Sequence, residues 1–285
     1  MFAPLARLSR PLLPTAREAA NSPRPAAVEA AATGKDRLQF SSGMQYRGQS
    51  AGHLVLQTAE DLTIARAHDM KQVEPTFSLK SHYESLARTG EEGSLFRMGE
   101  AQVEARIEAQ VGRYLSLRES LSGHVPGAAH AWADTTLKTL DMATGKPIRL
   151  TDLFPAKDIH AALLQDPIMR KALEGDRPAD LDSLISKVSG YRDPDGVYAL
   201  ESSLLDHFSL HRLEGGKVAV RVALPYGVEV YRGHLTQLEL KLPVPPGLAD
   251  DLRRAADRSA GILAPEAEKV LAGRSTVIET EPGLP

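Results

Sequence analysis

"GEAQVEARIEAQVGRYLSLRESL", residues 99–121, is the stretch on which the fold turns. Its first half places Val103, Ile107 and Val111 at i, i+4 and i+8, with Glu100, Glu104 and Glu108 on another face. That spacing predicts an amphipathic helix of about three turns with an acidic outer surface. Gly112 is a natural stop, and Tyr114 to Leu121 then reads as a strand. A helix set between groups of strands makes the chain α+β.

Upstream, "MQYRGQ", "HLVLQT" and "DLTIARA" read as three short strands turning at Gly52 and at Glu60-Asp61. "TFSLKSHYESLA" is a candidate fourth strand. Downstream, residues 131–142 and 147–150 form a hairpin around Thr144-Gly145-Lys146, where Gly145 accepts positive φ without steric cost. Thr151 is a candidate cap for the helix that follows. Asp166-Pro167 starts another helix, cap then proline. Leu181, Leu184, Ile185 and Val188 give the stripe of a third, stopped by Gly190. "HFSLHRL", "KVAVRVAL" and "LTQLELKL" are strands, the first two joined at Gly215-Gly216. In the second, Val218, Val220, Val222 and Leu224 face one way and Lys217, Ala219, Arg221 and Ala223 the other. One apolar face per strand implies an antiparallel sheet with a helix layer beneath it. "PPGLADDLRRAAD" is a closing helix, and residues 259–285 read as a flexible tail.

The composition bounds the function. With 285 residues, 42% apolar and 25% charged, the chain has ordinary globular values. Its formal net charge of −3 supplies no basic stripe for nucleic acid. It has no cysteine, which removes disulfides, zinc-thiolate sites and thiol nucleophiles. No stretch reaches the roughly 18 apolar residues of a membrane span. Residues 1–40 are rich in Ala, Pro and Arg and read as a disordered leader. Pro4, Pro11 and Pro14, with Arg7 and Arg10, interrupt the apolar run that a secretory signal needs.

Candidates for chemistry are few. His207 and His211 lie four apart, but no HExxH pattern or third ligand accompanies them, so no metal or other cofactor is expected. No G-x-S-x-G occurs, and Ser122-Gly123-His124 lacks an oriented base. Asp134, Asp141 and Asp152 could supply paired carboxylates; Asp141 and Asp152 fit turn and helix-start roles better. Trp132, the one tryptophan, fits the core better than a sugar-stacking platform. His130 fits either a loop anchor or a proton donor at a cleft. In "LPYGVEVYRGH", Tyr226 and Tyr231 bracket a loop and Arg232 sits beside a glycine, residue types favoured at binding surfaces and also, for the tyrosines, in strand-end cores.

One set of motifs resembles a known family. Gly127-Ala128-Ala129-His130 matches its Gly-Gly-Ala-His loop except for the second glycine, and Leu140-Asp141 matches its Phe-Asp. Thr144-Gly145-Lys146 matches its turn, and Leu150, Asp152, Leu153 and Phe154 match its helix start. Residues 101–253 thus resemble the RsiV-like family, domains of unknown function found in a lysozyme-sensing anti-sigma factor and as the PdaC accessory domain of a peptidoglycan deacetylase. The resemblance implies two small α+β lobes, each an antiparallel sheet with helices packed on one face, here 41–146 and 147–258. It also implies an extracytoplasmic setting and a non-catalytic binding or sensing module for a protein or an envelope glycan. His130, Tyr226, Tyr231 and Arg232 would make the contacts. The alternative is a cell-wall glycan hydrolase or deacetylase using His130 with Asp134 or Asp141.

Overall fold

The stretch expected as a helix is a β-strand. In this computed structural model, which describes residues 44–69, 72–89, 100–124, 127, 129–228 and 234–280, Glu100–Val111 pairs antiparallel with Tyr114–His124. A spacing of four suits both periods, because residues four apart share a face on a helix and on an unbroken strand. The residues between them break the tie. Ala101 and Ala105 lie with Val103 and Ile107, and all four are buried. Gln102, Glu104 and Arg106 alternate with them. Gly112 takes φ 55° at the hairpin turn, a conformation that costs glycine little.

In chain order, β1 (Tyr46–Ser50), β2 (His53–Gln57), β3 (Leu62–Asp69) and β4 (Gln72–Ser78) form a four-stranded antiparallel sheet. The expected continuation of the fourth strand is instead α1 (Leu79–Thr89). The Ser78 hydroxyl starts it by accepting from Ser81 N at 3.1 Å, and Leu79, Tyr83 and Ala87 are its buried stripe. Next come β5 (Glu100–Val111), β6 (Tyr114–His124), β7 (Trp132–Asp141) and β8 (Lys146–Pro147). A single 3-10 turn at Leu150–Asp152 follows. Its start is tied by Asp152, whose carboxylate accepts from Arg149 N at 2.8 Å, and not by Thr151.

Then α2 (Ala156–Leu163), α3 (Pro167–Leu173) and α4 (Leu181–Val188) lead to β9 (Phe208–Glu214), β10 (Lys217–Leu224) and β11 (Thr236–Pro243). Asp166 caps α3 as expected, accepting from Ile168 N and Met169 N. The segment expected as a flexible tail after residue 259 carries α6 (Ala264–Val270), which follows α5 (Ala249–Ala256), and β12 (Thr276–Thr280). β12 pairs with β5, Thr276 against Ala105 through Thr280 against Ala101, and Ile278 buries its side chain. Partners 171 to 179 residues upstream in sequence give such a strand its order, which a local reading of this segment does not reveal.

The α+β class stands: three antiparallel sheets, ordered β1-β2-β3-β4, β12-β5-β6-β7-β8 and β11-β10-β9, with six α-helices among the described residues. None of those helices is long and apolar enough to cross a membrane. One apolar core joins the four-stranded sheet, α1 and α6 to Val103, Ile107, Leu115, Leu117 and Leu140 of the five-stranded sheet. Trp132 packs half-buried against it. The other core joins α2 to α5 to Phe208, Leu210, Val218, Val220, Val222, Leu238, Leu240 and Leu242 of the three-stranded sheet. Each fully buried leucine or valine there contributes about 1.5–3 kcal/mol. The expected leader, residues 1–40, lies outside the described residues.

Candidate functional site

The three-stranded sheet carries Ser209, His211 and Arg221 on its second face, which the five-stranded sheet covers along β9 and β10, with β9 packed against β5, β6 and β7, while Glu239 and Lys241 of β11 stay exposed. Ser209 is fully buried and His211 is 4% exposed. Backbone groups of β9, the edge strand, meet side chains across this contact. The Thr139 hydroxyl donates to Phe208 O at 2.7 Å, and Leu210 N donates to Ser116 Oγ at 3.2 Å. Ser116 and Thr139 are bonded to each other at 2.9 Å. Two hydroxyls thus cover an edge that would otherwise be open.

Two β-bulges bring charge into this interface. On β5 the register steps from Ile107–Leu117 to Ala109–Ser116, leaving Glu108 without a cross-strand partner. On β9 it steps from Leu210–Val220 to Arg212–Ala219, leaving His211 without one. A bulge reverses the side of every following residue. Hence Ala109 and Val111 enter the second core while Val103 and Ile107 lie in the first.

Glu108 is 5% exposed. Its Oε1 forms an ion pair with Arg118 Nε at 2.8 Å, and its Oε2 lies 4.0 Å from Arg221 Nη1. Arg221 reaches on to Glu268 of α6 at 3.4 Å. Burial pushes the Glu108 carboxyl up, against the pull of Arg118 and Arg221. Burial holds the His211 imidazole down at about 4, with Arg221 and Arg212 acting in the same direction. A cleft of about 180 Å³ opens over Glu108, lined also by Arg106, Arg118, Glu268, Leu271 and Arg274.

Apart from His211, the residues singled out from sequence lie elsewhere. His130 is exposed in the bend before β7. Tyr226 is half-buried just beyond β10, in a segment held by its backbone: Ala199 N donates to Pro225 O and Val228 N to Gly196 O, both at 2.9 Å. Arg192 adds a 2.6 Å bond to Gly227 O. A Cβ on Gly227 would come within 2.6 Å of Gly196 O, so only glycine fits that approach. Tyr231 and Arg232 lie outside the described residues.

Asp134 and Asp141 stand seven residues apart on β7, about 23 Å at strand rise, so they are not a catalytic pair. Asp141 is occupied. Burial would raise its carboxyl, but the Arg113 side chain and Ala143 N outweigh this and hold it below the usual range. His207 bonds Thr136 at 3.1 Å. Among the described residues no three His, Asp or Glu side chains converge as metal ligands.

Fold and site together define an α+β protein whose sheets meet across buried charge. No protein-family model and no curated protein matches the chain. Among solved structures, the crystal structure of a DUF3298 family protein from Pseudomonas aeruginosa is similar, with 16% identity over 66% of this chain and 84% of that one and a TM-score of 0.30. A likeness at that level assigns no role to any residue.

Proposed function

We propose that the chain is a non-catalytic binding or sensing module of the RsiV-like kind, recognising a protein or a cell-envelope glycan. Residues 41–146 and 147–258 are its two lobes, and the loop from Tyr226 through Tyr231 and Arg232, with His130, makes the contacts. One observation supports this above the others. The start of that loop is pinned to the 196–199 turn by backbone hydrogen bonds, yet Val228 is 45% exposed. Among the described residues it is the large apolar side chain left in solvent. A segment held rigid while presenting an apolar tip beside a tyrosine has little ordering entropy left to lose on binding. The motifs of residues 127–154 supply the envelope setting, through their resemblance alone.

The test is retention of ligand by the immobilised chain, with lysozymes and peptidoglycan fragments as the offered material. Tyr226→Ala and Tyr231→Ala should each weaken retention about tenfold, the scale of an interface anchor. If nothing is retained, or both variants retain as much as the parent, the proposal fails.

A further inference from the structure

The cleft over Glu108 has the properties of a second, separate site. Glu108 is buried at its floor, and its Oε2 accepts no hydrogen bond from the described residues. A buried carboxylate oxygen left so costs about 1–3 kcal/mol or more. The bulge on β5 sets the side of the strand that Glu108 takes, and bulges are over-represented next to active sites, where they redirect a side chain. Around the cleft stand three guanidinium groups. Arg106 meets Glu104, Arg118 meets Glu108, and Arg274 meets Gln45 O at 2.7 Å. Each carries five N–H donors and has one protein acceptor among the described residues, so donors remain for a ligand.

The lining therefore offers the Glu108 carboxylate, with that of Glu268 already tied to Arg221, and guanidinium donors within one small volume. A plain anion leaves Glu108 unmet and places a like charge beside it. A plain cation meets Glu108 but faces three arginines. A molecule with both groups a few ångströms apart satisfies both. Ile107, Ala267, Leu271 and Ala272 form the apolar part of the wall. About 180 Å³ is well under the ~300–1,000 Å³ of drug-sized sites. We propose that this cleft binds a small aliphatic α-amino acid as its zwitterion. Its ammonium donates to Glu108 Oε2, its carboxylate accepts from the arginines, and its side chain lies on Ala267 and Leu271.

Calorimetric titration of the whole chain tests this, with L-alanine and D-alanine as probes and acetate and ethylammonium as single-charge controls at equal ionic strength. One alanine enantiomer should bind saturably, and each control about tenfold more weakly or less, a 1.4 kcal/mol difference. Glu108→Gln should weaken alanine at least tenfold. Ala272→Leu fills the cleft without touching a charge and should abolish binding while the far-ultraviolet dichroism stays unchanged. Absence of saturable binding by either alanine, acetate binding as tightly as alanine, or full binding by a folded Ala272→Leu variant each overturns the proposal.

Discussion

The two faces of the three-stranded sheet are both covered along β9 and β10, and they are built differently. Toward the helices, Phe208, Leu210, Val218, Val220, Val222 and Leu224 make an apolar surface at 1% exposure or less. Toward the five-stranded sheet lie Ser209, His211 and Arg221, with Arg221 4.0 Å from Glu108 and the paired Ser116 and Thr139 hydroxyls on the β9 backbone. The first face gains from removing hydrocarbon from water. The second gains from its small residues, Ala219 and Ala223, and otherwise holds polar groups that must find partners once water is gone. Stability should therefore reside mainly on the helix face, and sensitivity to charge on the sheet face.

The largest break in that contrast is Phe208→Ala. Phe208 is fully buried in the helix-side core, so truncation should cost about 3–5 kcal/mol of unfolding free energy. Urea denaturation followed by circular dichroism measures it. A loss under about 1 kcal/mol would place the weight of the fold elsewhere.

A smaller change probes the opposite face at the same strand. Thr139→Val keeps the shape and removes the hydroxyl that bonds both Phe208 O and Ser116. The expected loss is about 1–2 kcal/mol, because a carbonyl at the sheet edge is left with one partner fewer. If Thr139→Val matched Phe208→Ala, the polar contact would be as strong as the apolar core and the contrast would collapse.

Much of this was legible in the sequence, and the exceptions share a cause. The alternation in Lys217–Leu224 assigned every side chain of β10 to its correct face. It did not show that the polar face is covered, since a covering sheet comes from residues 100–141. The bulge on β9 leaves a trace: Phe208 and Leu210 are two apart but Leu213 breaks the parity, as an extra residue at His211 requires. The bulge on β5 leaves none. Apolar residues continue at 101, 103, 105, 107, 109 and 111 straight through it. Both sides of that strand become apolar cores, so the pattern is satisfied with or without the inserted residue. Glu108 therefore passes for one more outward glutamate. The same unbroken spacing of four made the strand resemble a helix. Of the cluster, His211 was noticed only as a possible metal ligand, because its neighbours Arg221 and Glu268 are distant in sequence.

The smallest effect at neutral pH, and the most selective, comes from His211. Its folded pKa of about 4 lies below the ~6.5 of an unfolded chain, because burial and the facing Arg221 and Arg212 disfavour the imidazolium. Glu239 and Glu268 face it too and only partly offset this. The folded protein thus refuses a proton that the unfolded chain accepts. The stability conferred is complete above about pH 6.5 and drains as the pH falls toward 4. Glu108 runs the other way: its carboxyl is raised, so the folded state takes up its proton first and regains some stability on acidification. His211→Gln removes only the first of these. At pH 7 it should change stability by about 1 kcal/mol or less. Between pH 7 and pH 5 the urea midpoint of the variant should fall less than that of the parent. A parallel fall in both proteins would mean that His211 is not desolvated, and that water reaches the contact between the sheets.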